Sequence, residues 1–177
     1  NLRDGRFNVE ELRYSNAPEA QALLLREGDV LFNRTNSLEH VGRTSMWRSE
    51  LPVASFASYC VRLDVDRQQI DPAYLVEFMN LRETQVAIKR IATPAIQQVN
   101  VNPTRLRQSL LVRHPISLAE QQHIVAILDA HDARIRAEQA ERDKLVALKR
   151  GLLDDLLTGR VRVPLSESPR PARPGVE

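Results

Sequence analysis

Cysteine is nearly absent from this chain of 177 residues: Cys60 is the only one. No internal disulfide framework can form, and a reducing cytoplasm is the expected setting. No run of about 18 apolar residues occurs, so no membrane span and no membrane partner are expected, and no signal peptide is visible. Charge of one sign is not in excess either. The net charge is +2, so contact with a polyanion must come from local clustering and not from a globally basic surface. Lysine is scarce, three of the 25 basic residues. The remainder are arginines, which suit bidentate contact with guanine or phosphate.

The usual signatures of catalysis are missing as well. The six glycines form neither G-x-x-x-x-G-K-[ST] nor G-x-G-x-x-G, so nucleotide cradling by these motifs has no support. His40, His114, His123 and His131 lack metal-ligand spacing, and no H-E-x-x-H occurs. His123 and His131 read more simply as packed or exposed helix histidines than as ligands. Cys60 has no C-x-x-C partner, and its strand-like setting reads as a buried, inert thiol. Asp154 and Asp155 are successive and face different directions on a helix, which does not suit paired-carboxylate chemistry. No aromatic-flanked Asn/Asp-Pro-Pro segment of the amino-methyltransferase kind is present. The expectation is a chain with no cofactor, no metal and no catalytic role of its own.

With a hydrophobic share of 42% the chain can build a core, and it falls into three compositional parts. Residues 1–115 carry short β-type runs and turn signals, 116–160 hold a long helical stretch, and 161–177 form a proline-rich tail expected to be disordered. In the first part Gly28-Asp29 leads into a buried strand, Val30-Leu31-Phe32. Further strands are expected at Val41–Trp47, Ser58–Val65, Ile96–Val101 and Ser109–Arg113. Asp71-Pro72 supplies an N-cap and an N1 proline. Leu75, Phe78, Met79, Val86, Ala87 and Ile91 follow at helical spacing, giving one or two helices over 72–92. The fold class is α+β: a globular domain with a mixed or antiparallel sheet and short helices, followed by one long coiled-coil-type α-helix.

That helix opens at Ser117-Leu118-Ala119-Glu120, a capping box, and contains no proline from 117 to 158. Ile124, Leu128, His131 and Ile135 follow at spacings of four, three and four, as a coiled-coil seam requires. The stripe lapses at Glu138 and Arg142 and resumes with Leu145, Leu148, Leu152 and Leu156. A helix apolar at both ends and polar in its middle bridges two packing sites or pairs with another helix.

Two polar clusters have the side chains that read DNA. One is Asn33-Arg34-Thr35-Asn36-Ser37, directly after the predicted strand; Asn pairs with adenine, Arg with guanine or phosphate, Ser or Thr with either. Asn36-Ser37 is equally well a self-capping Asx turn. The other is Gln97-Gln98-Val99-Asn100-Val101-Asn102-Pro103. As a strand it turns Gln98, Asn100 and Asn102 to one side and Val99 and Val101 to the core. A row of amides also finishes many exposed edge strands. It lies in a stretch from Arg82 to Arg113 with six basic residues, Arg82, Lys89, Arg90, Arg105, Arg107 and Arg113, against one acid, Glu83.

At four separated segments the chain resembles the specificity subunits of type I restriction-modification systems. They are Glu27-Gly28-Asp29-Val30-Leu31-Phe32-Asn33-Arg34-Thr35-Asn36-Ser37, then Gln98-Val99-Asn100-Val101-Asn102, then Leu118-Ala119-Glu120-Gln121-Gln122-His123-Ile124-Val125, and the run Leu148-Lys149-Arg150-Gly151-Leu152-Leu153-Asp154-Asp155-Leu156-Leu157-Thr158-Gly159-Arg160-Val161. The resemblance implies a target-recognition domain and a conserved spacer helix, one half of a subunit that normally carries two. It implies a non-catalytic, cytoplasmic part in bacterial defence. The partners it implies are double-stranded DNA, methyltransferase (modification) subunits, a restriction/translocase subunit, and a second half or a second copy paired through the long helix. Its DNA-contacting residues are expected among Asn33, Arg34, Thr35, Asn36, Ser37, Gln97, Gln98, Asn100, Asn102 and Arg105. The chain departs from the family where Thr93-Pro94-Ala95-Ile96-Gln97 lacks a Gly/Ser-rich turn and where His114-Pro115-Ile116-Ser117 leads into the helix. The residues alone leave two other readings open: a specificity domain cut from a single-chain restriction-methyltransferase, and a helix-dimerised protein-interaction adaptor without DNA binding.

Overall fold

The computed structural model describes residues 2, 3, 5–9 and 12–163, and the chain divides into two compact units between Leu128 and Asp129. The first unit holds strands β1 (Leu2–Arg3), β2 (Arg6–Phe7), β3 (Val30–Asn33), β4 (Thr35–Asn36), β5 (Thr44–Met46), β6 (Cys60–Leu63), β7 (Thr93–Ala95) and β8 (Gln98–Asn100). Its helices are α1 (Glu19–Ala22), α2 (Pro72–Asn80), α3 (Arg82–Arg90) and α4 (Pro103–Ser109). Helix α5 (Leu118–Leu157) begins in this unit and makes up most of the second. The strands form three small antiparallel sheets, β1-β2, β5-β3-β6 and β4-β8-β7. The α+β class with a long C-terminal helix is therefore what the sequence predicts. Among the described residues no helix is long and apolar enough to cross a membrane.

Strand β3 is central because both of its faces are covered: Val30, Leu31, Phe32 and Asn33 are all buried. Phe32 packs into a core with Val41, Leu75, Met79, Ile88, Val101 and Leu106. Helix α2 starts as its sequence dictates. The Asp71 carboxylate accepts from the Ala73 and Tyr74 N–H groups (2.8 and 3.2 Å) with Pro72 at the first helical position. At its other end the Asn80 amide donates to the carbonyls of Thr44 (2.7 Å) and Val76 (2.9 Å), fastening the helix to β5. Gly42 turns the chain between β4 and β5 at φ +87°, where a Cβ would fall 2.8 Å from the buried Ile88 side chain. Only glycine meets both demands.

Four expected strands are corrected. Val41–Trp47 and Ser58–Val65 contain strands, but shorter ones, β5 and β6. Ile96–Val101 is not one strand. Ile96 and Gln97 form the turn of the β7–β8 hairpin, with Ala95 opposite Gln98. Ser109–Arg113 is not a strand at all, because Asn102-Pro103 repeats the chemistry of Asp71-Pro72: the Asn102 Oδ1 accepts from Thr104 and Arg105 (2.9 and 3.2 Å) and starts α4, which ends at Ser109. Leu110 and Val112 then pack against the core from irregular chain.

The long helix, Leu118–Leu157, lies within the stretch 116–160 read as helical. The Glu120 N–H lies 3.4 Å from the Ser117 hydroxyl, and its fourth residue, Gln121, is fully buried. The Gln121 Oε1 accepts from the Asp71 N–H (2.8 Å), and its Nε2 donates to the carbonyls of Pro115 (2.7 Å) and Gln69 (3.0 Å). One amide thus closes three backbone groups that helix α5 and the approach to α2 would otherwise leave open. At the far end Gly159 adopts φ +72°, and the Val161 N–H reaches back to the Asp155 carbonyl at 3.0 Å, a glycine-terminated C-cap. Of the tail expected over 161–177, residues 164–177 lie outside the described residues.

Replacing Gln121 with leucine keeps the volume and removes the three hydrogen bonds to backbone groups as well as the contact of its Nε2 with His114 Nδ1 (3.3 Å). Gln121→Leu is expected to cost about 2 kcal/mol, read as a lower denaturation midpoint at unchanged denaturant dependence.

Candidate nucleic-acid interface

The two polar segments lie far apart in the sequence and together in the fold. The chain leaves β3 at Asn33, passes Arg34 and enters β4, which pairs with β8 in the register Thr35 opposite Asn100 and Asn36 opposite Val99. The Asn100 amide donates to the Thr35 hydroxyl at 2.8 Å. The backbone of Arg34 is held on both sides, its N–H by the Tyr59 carbonyl and its carbonyl by the Val101 N–H, each at 2.8 Å. Val99 and Val101 turn to the core as alternation predicts, Val101 completely.

A cleft of about 660 Å³ opens among these residues. Asn33, Thr35, Asn36, Ser37, Gln97 and Gln98 line it, together with Phe7, Trp47, Phe56 and Tyr59. Phe7 and Trp47 stack edge to face with centroids 5.1 Å apart. Leu31 and Asn33 reach the cleft and Phe32 the core, the two-residue alternation of β3. Asn33 is 7% exposed, and its Oδ1 is buried without a hydrogen-bond partner among the described residues. Cys60 also lines the cleft, and burial pushes its thiol pKa up, so it stays protonated and unreactive at neutral pH.

The other expected site residues divide. Asn36 and Ser37 are partly self-satisfied: the Asn36 Oδ1 accepts from the Ser37 N–H, and the Ser37 hydroxyl meets His40 Nδ1, both at 2.8 Å. Asn102 spends its carbonyl oxygen on the cap of α4 and so leaves the amide row. Gln97 and Gln98 are exposed. Arg34 is half-buried, does not line the cleft, and its Nε is buried without a partner. Arg105 is exposed on α4. Neither these two arginines nor Arg82, Lys89, Arg90, Arg107 and Arg113 form an ion pair among the described residues. The aromatic lining was not identified from the sequence. Phe7, Trp47, Phe56 and Tyr59 come from separate segments, and no local pattern links them.

On the long helix, Ile124 is half-buried within the first unit, and Leu128 is 39% exposed. In the second unit His131, Ile135, Leu145, Leu148, Leu152 and Leu156 are all exposed. The polar stretch between them carries the pairs Arg134–Glu138 (3.9 Å) and Glu141–Lys144 (3.7 Å). Among the described residues no three His, Cys, Asp or Glu side chains gather as a metal site would require.

No protein-family model matches the chain. Over 150 residues it is 25% identical to the "Putative type I restriction enzyme MjaX specificity subunit" of Methanocaldococcus jannaschii, an alignment covering 85% of this chain and 34% of that protein. The chain is thus similar to a type I specificity subunit, as its four segments imply, and spans about a third of the length of this curated relative.

An unpartnered buried amide oxygen is destabilising unless something binds it. Asn33→Leu, of similar volume, is therefore expected to raise the stability of the free chain by about 1 kcal/mol in chemical denaturation, the sign opposite to most buried substitutions.

Proposed function

We propose that this chain is a DNA sequence-recognition half of a type I restriction-modification specificity subunit: residues 1–115 contact the target and 116–160 form the spacer helix. The observation that carries this reading is the Thr35–Asn100 pairing, which joins the two polar segments at one edge. The similarity to a curated specificity subunit supports it. So do the seven cations of the first unit, Arg34 included, that have no acidic partner among the described residues and are free to neutralise phosphates. In this role the chain performs no chemistry. It directs adenine methylation by modification subunits and restriction by a translocating subunit, in the cytoplasm.

The exposed leucines of α5 are the surface for a second half or a second copy. Packed as a coiled-coil seam they exclude water, and the polar middle of the helix specifies register more than it adds stability.

Selection from a random-sequence duplex pool, with and without the cognate methyltransferase, is expected to enrich one defined half-site. Enrichment of no sequence in either case overturns the reading. Binding should weaken steeply with salt. Arg34→Ala and Asn100→Ala should each reduce it about tenfold, whereas Arg136→Ala in the middle of the helix should change it little. Sedimentation of the purified chain is expected to show self-association that Leu145→Glu and Leu152→Glu abolish; a monomer in every case argues against pairing of two copies through this face.

A further inference from the structure

Edge-on reading of a duplex groove requires side chains that protrude. The cleft beside the polar sheet does the opposite: it is concave, and its volume of about 660 Å³ is that of a small-ligand site. Its described lining contains no acid, and its one charged side chain is Arg13. Aromatic side chains line it: Phe56, over whose ring the Arg62 guanidinium lies at 5.4 Å, Tyr59, and the ring pair of Phe7 and Trp47. It also offers the Asn33 amide, more than nine-tenths buried, whose Oδ1 has no partner. A matching ligand is planar and not cationic, with a hydrogen-bond donor on its edge, which describes a nucleobase outside the stack.

A second observation lies at the rim. Ile96 is 92% exposed at the tip of the β7–β8 hairpin, and Gln97, which follows it, is held at φ +61°. A large apolar residue at a bare turn tip contributes nothing to the core, and a left-handed glutamine is strained where glycine would not be. Gln97 and Gln98, its neighbours, line the cleft. Apolar side chains presented in this way wedge between base steps and unstack them.

Resting on the reading of the chain as a DNA-binding module, we propose that the cleft receives one nucleobase displaced from the bound duplex. The Asn33 amide accepts a hydrogen bond from its edge, the aromatic side chains cover its faces, and Ile96 fills the gap left in the stack.

The experiment uses the full chain and duplexes carrying the half-site selected above, with the partner base removed at each position in turn. At the displaced position the cost of unpairing is then already met, so wild-type protein should bind about tenfold tighter than to the intact site. Emission from Trp47, the only tryptophan, should be quenched on that same duplex. In Asn33→Leu and in Ile96→Gly the ratio should collapse to near one. Ile96→Gly acts at an exposed turn and does not test the core. Selective binding without a gain at any position overturns the displaced base and leaves the recognition reading standing. A gain that survives in both variants, or leaves Trp47 unchanged, overturns this cleft as its receptor. Absence of any selective binding overturns both readings.

Discussion

The Val101 N–H donates to the Arg34 carbonyl at 2.8 Å, and the organisation of the first unit depends on that backbone contact. On one side it continues the β4–β8 pairing by one residue beyond Asn100. On the other it holds Val101 in register to enter the core beside Phe32, where it is fully buried. Because side chains alternate along a strand, a slip of one residue here would expose Val101 and bury Asn100, an amide with one partner for several bonding groups. The apolar core therefore decides which polar groups the sheet shows. Arg34 sits at the point where the chain leaves one sheet for the next, its backbone fixed from both sides and its side chain without a carboxylate.

Asn33 departs from this economy. It occupies the last position of a strand whose other three residues are apolar and buried, and leucine or valine there would seal the cleft floor. The amide instead leaves one acceptor unpartnered. Such a group weakens the free protein, and groups of this kind are found where a partner is to arrive. The same logic applies on a larger scale to the cations of α3 and α4. Arginines kept clear of acids gain nothing in the isolated domain, but they retain their full charge for a polyanion.

What was legible in the sequence was local. Helix α5 was legible because its determinants lie within it: the Ser117 cap and a long proline-free stretch rich in good helix formers. The start of α2 was equally plain from Asp71-Pro72. The start of α4 carried the same signal in Asn102-Pro103, but the preceding amides invited a strand reading, and the following Leu110-Leu111-Val112 invited another. Alternation predicted the inward turn of Val99 and Val101 correctly and failed only at Asn102, where capping took the side chain. The meeting of Thr35 with Asn100 spans 65 residues and has no local trace. The cleft is still less legible, since Phe7, Trp47, Phe56 and Tyr59 are brought together only by the sheet. The hairpin was hidden because Ile96-Gln97 is not a turn sequence, and that mismatch between residue type and backbone sets the tip apart.

The second unit poses a different physical question: what makes an exposed helix persist. Its mid-section ion pairs are exposed, and pairs of that kind contribute little. In proteins most helical stability comes from packing an apolar face and not from propensity. Leu145, Leu148, Leu152 and Leu156 remain about half exposed, and each leucine transferred from water to a packed seam is worth about 1.5–3 kcal/mol when burial is complete. Burying the exposed half of these four side chains would therefore outweigh every surface ion pair on the helix. The leucines lie at spacings of three and four over three turns, so a second helix can cover all of them along one line. In this reading the domain supplies the chemistry of recognition, and the rigidity of the spacer comes from its partner.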